Sequence, residues 1–137
     1  MATIDRYLHA TVIPVRLATS GRNGPLVQSM WFLWRDCRLW CATQDTAVVA
    51  HRLEADPRCA FEVAGDMPPY RGVRGQGIAE LVRTDGRDVL TQLLHRYLGG
   101  TSSGLAQWLL SRADHEVAIA IRPEHISSWD FRSRMEE

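Results

Sequence analysis

The chain has 137 residues, a formal net charge of zero, 45% hydrophobic residues and 23% charged residues. It has the size of a single compact domain, 1–137, able to bury about two-thirds of its unfolded surface. Neutrality argues against a nucleic-acid partner, whose affinity rests on phosphate neutralisation. All 16 basic residues are Arg, which excludes a lysine Schiff base and a lysine-dependent P-loop.

No run approaches the roughly 20 apolar residues of a membrane span. The start, "MATIDRYLHATVIPV", has no basic region followed by an apolar stretch, so the expectation is a cytoplasmic protein without a signal peptide or membrane partner. Residues 3–10 read as a short helix ending before Pro14. "VRLATSG" (15–21) has strand character, and "GRNG" (21–24) is a turn. "PLVQSMWFLW" (25–34) reads as one long strand opened by a tolerated proline. "RDCR" (35–38) turns the chain back into "RLWCAT" (38–43), which completes a meander.

Asp45 or Thr46 is the expected N-cap of a helix through Ala55, stopped by Pro57. "RCAFEVAG" (58–65) resumes strand, whereas the paired prolines of "DMPPYRG" (66–72) rule out a central strand. "VRGQGIAELVR" (73–83) alternates again, with Gly75 and Gly77 marking a bulge or a close backbone approach. From Asp85 the period becomes helical, with Val89, Leu90, Leu93, Leu94, Tyr97 and Leu98 on one face and a Gly pair at its end. Ser102 or Ser103 caps a second helix carrying Leu105, Trp108 and Leu109. "EVAIAIRP" (116–123) and "ISSWDF" (126–131) are the last strand segments. Six or seven strands joined by short turns predict a mainly β fold with helical insertions, built as an antiparallel barrel.

Several chemistries fail on spacing. The five histidines are scattered, and "HEVAI" lies in a strand and lacks the second histidine of a zinc helix, so no metal site is expected. Cys37, Cys41 and Cys59 form no CxxC pair and are expected to be reduced, structural thiols. The glycines of "RGVRGQG" do not join a strand to a helix, so the dinucleotide fingerprint is absent, as is a G-x-S-x-G elbow. No residue has the context of a catalytic acid or base. Trp31, Phe32, Trp34 and Trp40 cluster across one hairpin, where they read as core packing, as a flat wall for a planar ligand, or as both.

In order and spacing, "RLATSGRNGPLVQSMWFLW", "LWCAT" with "RLEADPRCAFEV", "PPYRGVRGQGIAEL" and "AIRPEHISSWDF" together resemble the pyridoxamine 5′-phosphate oxidase-like family, the FMN-binding split β-barrels. The likeness runs along nearly the whole chain. It implies a six-stranded split barrel pairing as a homodimer, with a flavin in each of two clefts between subunits. It places Gln28, Ser29, Met30, Trp31 and Phe32 along the isoalloxazine ring and Thr43 beside it. It puts Arg71 on the ribityl or phosphate side and Trp129 as a late tryptophan closing the site.

One departure bears on the cofactor. In these oxidases a basic pair commonly follows the threonine by five and six residues and grips the FMN phosphate; here the positions hold Val48 and Val49. Losing two charge-assisted contacts would cost about 1.5–3 kcal/mol each. Arg16, His51, Arg52 and Arg71, with Thr46 and backbone N–H groups, remain as candidates for the phosphate. The chain also ends soon after Trp129, without the C-terminal region by which true pyridoxamine phosphate oxidases hold substrate. The expected function is an FMN-dependent oxidoreductase acting on a small molecule. The alternatives are a deazaflavin cofactor, or a non-catalytic barrel that binds flavin, deazaflavin or haem, or no cofactor.

Overall fold

Apolar and polar residues alternate along the strands, and that alternation decides which face turns inward. A computed structural model of the chain describes residues 2–132. Its strands are β1 (Val15–Thr19), β2 (Leu26–Met30), β3 (Leu33–Arg35), β4 (Arg38–Gln44), β5 (Arg58–Ala64), β6 (Arg71–Val82) and β7 (Glu116–Asp130). They form one antiparallel sheet of seven strands in the order β2-β1-β5-β6-β7-β4-β3. Because β2 and β3 stand at opposite edges yet follow each other in the chain, the sheet must curl until its edges approach, giving an open half-barrel.

This corrects the six-stranded expectation. The run 25–34 is two strands, broken at Trp31 and Phe32, where the chain crosses from one edge of the sheet to the other. Tyr97 supports the break: its hydroxyl accepts the Phe32 N–H at 3.2 Å and donates to the Ile13 carbonyl at 2.8 Å. Conversely, the two last strand segments are one strand, β7. It keeps pairing with β6 through a register shift between Gln76 and Gly77, the bulge that the glycines announced. A Cβ at Gly75 would lie 2.3 Å from the His125 carbonyl oxygen, and one at Gly77 would lie 2.5 Å from that of Arg122. Both glycines are therefore required by close approach.

Val15 and Leu17 of β1, Leu39 and Cys41 of β4, Phe61 and Val63 of β5, and Ile119 and Ile121 of β7 fill the concave face. Two helices add to that core: α1 (Ala2–Ala10) through Ile4 and Leu8, and α2 (Val48–Ala55) through Val49 and Leu53. Asp5 of α1 accepts the Trp34 indole N–H at 2.9 Å. On the convex face, α3 (Gly86–Leu98) lays Val89 and Leu93 against Trp40, Ala118 and Ala120. A fourth helix, α4 (Gly104–Ser111), packs Ala106 against Leu90 and Leu94 of α3. The hairpin aromatics divide accordingly: Phe32 and Trp34 lie in the concave core, and Trp40 lies under α3. No helix among the described residues is long and apolar enough to cross a membrane.

Candidate functional site

The break after Met30 creates a cleft. Trp31 leaves the sheet and stacks on Tyr97, with ring centroids 5.1 Å apart and planes within 8°. Beside it opens a cavity of about 430 Å³, lined by Gln28, Ser29, Met30 and Trp31 on one side and by Ala42 and Thr43 of β4 on another. Its far wall is apolar, made by Leu90 and Leu93 of α3 and Leu105 and Leu109 of α4, and Glu116 completes it. That volume suits a small molecule of a few fused rings. Strand register distributes the groups: Gln28 and Met30 pair with Leu17 and Val15 and share their concave face, while Ser29 points to the other side.

The structure thus brings together Gln28, Ser29, Met30, Trp31 and Thr43. Phe32 does not join them; it is fully buried in the core, because the chain dives inward on crossing between sheet edges.

Sequence reading missed Glu116. It opens β7 opposite Gln44 of β4, whose side-chain amide donates to its carboxylate and also to the Arg112 carbonyl at 3.1 Å. Burial pushes the Glu116 pKa up, opposed by the Gln44 hydrogen bond and the Arg112 charge. The Gly86 backbone packs directly on this residue, since a Cβ there would lie 2.0 Å from the Glu116 carbonyl oxygen. Nothing in the linear pattern marks this acid, because its partner lies on a strand distant in sequence. The leucines of the far wall were legible as helical stripes, but not as a cleft wall.

The turn after Thr43 leads to α2. Ala47 is its N-cap, with no side-chain cap hydrogen bond, which corrects the expected capping by Asp45 or Thr46. The Asp45 N–H is instead taken by the His115 carbonyl at 2.8 Å, and Thr46 is exposed. The first-turn N–H groups of α2 therefore have no side-chain acceptor. The two valines part company: Val48 is 59% exposed and Val49 only 1%. Arg52 is tied to the preceding meander turn, donating to the Thr19 and Gly24 carbonyls at 3.3 and 3.1 Å. His51 is exposed on the same helix.

Arg71 and Trp129 lie elsewhere. They line a separate depression of about 350 Å³ with Arg16 and Tyr70. There Arg71 stands over the Tyr7 ring at 5.1 Å, and Trp129 covers Gly72, where a Cβ would lie 2.7 Å from its ring. Arg16 pairs with Asp66 at 2.8 Å and with Glu62 at 3.5 Å. All three cysteines are free. Burial pushes the Cys41 thiol up to about 12 and the Cys59 thiol up to about 11.

The model of the pyridoxamine 5′-phosphate oxidase family matches residues 7–130. The chain belongs to this family. No curated protein matches it. Among solved structures of the same fold, a conserved hypothetical protein from Mycobacterium tuberculosis is 27% identical, with a TM-score of 0.81 over 98% of this chain and 86% of that one. A protein described as an F420 reductase is 25% identical, with a TM-score of 0.75 over 89% of this chain and 94% of that one. The haem storage protein HutZ from Vibrio cholerae, at 16% identity and a TM-score of 0.66 over 94% and 90% of the two chains, shares the fold. Where this family's resemblance places a basic pair, the start of α2 holds Val48 and Val49.

Proposed function

We propose that the protein is an oxidoreductase that holds a flavin-type ring, FMN or a 5-deazaflavin, in the cleft between β2, β4 and the α3–α4 pair. The observation that carries this reading is the convergence of Gln28, Ser29, Met30, Trp31 and Thr43 on one cavity of ring size. Bound there, the ring would take or give a hydride, which is chemistry no side chain supplies. The chain's own part is to orient and shield it. Trp31 is held flat by Tyr97, β2 and Thr43 offer hydrogen-bonding groups, and the leucine wall excludes water from the opposite side.

The 5-deazaflavin is the favoured ring. The F420 reductase aligns over 94% of its own length. Titration of the purified protein with the deazaflavin F420 and with FMN, followed by fluorescence, tests this: F420 should bind at micromolar concentration and more tightly than FMN. If neither ring binds, the oxidoreductase reading fails. Stronger binding of FMN would remove the deazaflavin preference alone.

A homodimer is part of the same proposal. The uncovered convex face of β2, β1, β5, β6 and β7 carries a groove of about 840 Å³ with Arg16, Glu62, Arg74, Glu124 and His125 on its walls. Both signs of charge are present, and Val27 stands 62% exposed beside them, so the face is suited to a second copy of itself. Such pairing gives Arg71 and Trp129 a route to the partner's cleft. A monomeric mass in solution would contradict it.

A further inference from the structure

Glu116 places a half-buried carboxylate in the wall of an otherwise apolar or neutral cleft. No other carboxylate lines that cleft among the described residues. One oxygen, Oε2, accepts the Gln44 amide; Oε1 receives no hydrogen bond among the described residues. Its charged surroundings come from three directions. Arg112 follows the end of α4, and Asp45 lies in the turn after β4, 3.9 Å from His115 Nδ1. From α3, the Gly86 backbone is in contact but brings no charge, and Arg87 is spent on Asp114 at 2.8 Å.

A carboxylate facing leucines is costly unless a donor meets it. The leucines suit a flat apolar face, and the free oxygen suits an N–H on the rim of that face. We infer that the cleft grips its ring by an edge N–H, and that Glu116 is the residue that receives this hydrogen bond. The inference rests on the flavin-type reading above, because flavins and 5-deazaflavins share an imide N–H between two carbonyl groups. It assigns a ligand-binding role to a residue that no linear motif of the sequence marks. Binding is then coupled to protonation. Burial raises the Glu116 pKa, so as pH falls through it the carboxyl gains a proton, ceases to accept, and the ring is held less tightly.

The test uses the full chain with two probes that lack ribityl and phosphate groups: lumiflavin, and its derivative methylated at the imide nitrogen. Affinities are read by fluorescence titration from mildly acidic to mildly alkaline buffer. Unmodified lumiflavin should bind the native protein about ten- to hundredfold more tightly than the methylated ring, as expected for a hydrogen bond to a charged acceptor. That preference should fade as pH falls. Glu116→Leu should bind both rings alike, and Glu116→Gln should lose the pH dependence while keeping the native circular dichroism. Equal affinity of the native protein for the two rings overturns the Glu116 assignment and leaves the cofactor reading standing. Failure of lumiflavin, FMN and F420 alike to bind overturns both.

Discussion

Tyr97→Phe removes one oxygen atom and should destabilise the fold out of proportion to that change. The hydroxyl stands at the crossing between the two sheet edges, accepting from the Phe32 N–H at 3.2 Å and donating to the Ile13 carbonyl at 2.8 Å. Phe32 is fully buried, so water cannot replace the lost partner without opening the core. A buried polar group left unpaired costs about 1–3 kcal/mol, and the substitution orphans one such donor and weakens a partly buried acceptor. The expected loss is about 2–4 kcal/mol, a large share of the roughly 5–15 kcal/mol that holds a domain together. Urea unfolding followed by tryptophan fluorescence measures it, and an unchanged slope would show that the same surface unfolds. Tyr97→Leu also removes the stack on Trp31 and should lose about 0.5–1.5 kcal/mol more. A Tyr97→Phe variant within about 0.5 kcal/mol of the native protein would mean that the crossing is held by packing alone.

At the start of α2 the two valines should respond in opposite ways. Val49→Lys forces an ammonium into the core and should lower stability by about 3 kcal/mol or more, whereas Val48→Lys should unfold like the native protein in urea. Val48→Lys should also tighten FMN about tenfold by titration if the turn faces the phosphate; unchanged affinity would show that it faces elsewhere. Gly86→Ala improves helix propensity yet drives a Cβ to 2.0 Å from the Glu116 carbonyl oxygen. Thermal unfolding should therefore show a loss of about 1–3 kcal/mol, and a stabilised variant would refute the contact. With a thiol reagent near neutral pH, exposed Cys37 should react in the native state. Cys41 and Cys59, with thiols pushed up to about 12 and about 11, should react only on unfolding, so rapid modification of all three would contradict their burial.

How much of this was readable beforehand depended on whether a feature is local. The turn at Asp36 and Cys37, both with positive φ near 55°, joins β3 to β4 where "RDCR" marked a turn. Gly75 and Gly77 announced the bulge, because a missing Cβ is a local statement about crowding. The strand break at Trp31 and Phe32 was not legible. A continuous apolar run reads as one strand, and the residue that supports the break, Tyr97, comes 65 positions later. The same limit hid the Gln44–Glu116 pair, separated by 72 positions. Gln28 to Trp31 and Thr43, grouped by the family resemblance, do line one cavity.

Consecutive helix residues point about 100° apart, and this changes the weight of the missing cations. Val49 turns into the core with Leu53, while Val48 turns outward. Of these two positions, only 48 can present a side chain to a ligand at the start of α2. The departure from the basic pair therefore removes one charge-assisted contact here rather than two, about 1.5–3 kcal/mol in all. That corresponds to a loss of about ten- to a hundredfold in affinity. Uncapped first-turn N–H groups can recover part of this at a helix start, and in the proposed homodimer a partner arginine would add to it. On these magnitudes the two valines would weaken a phosphate contact at this turn without excluding one.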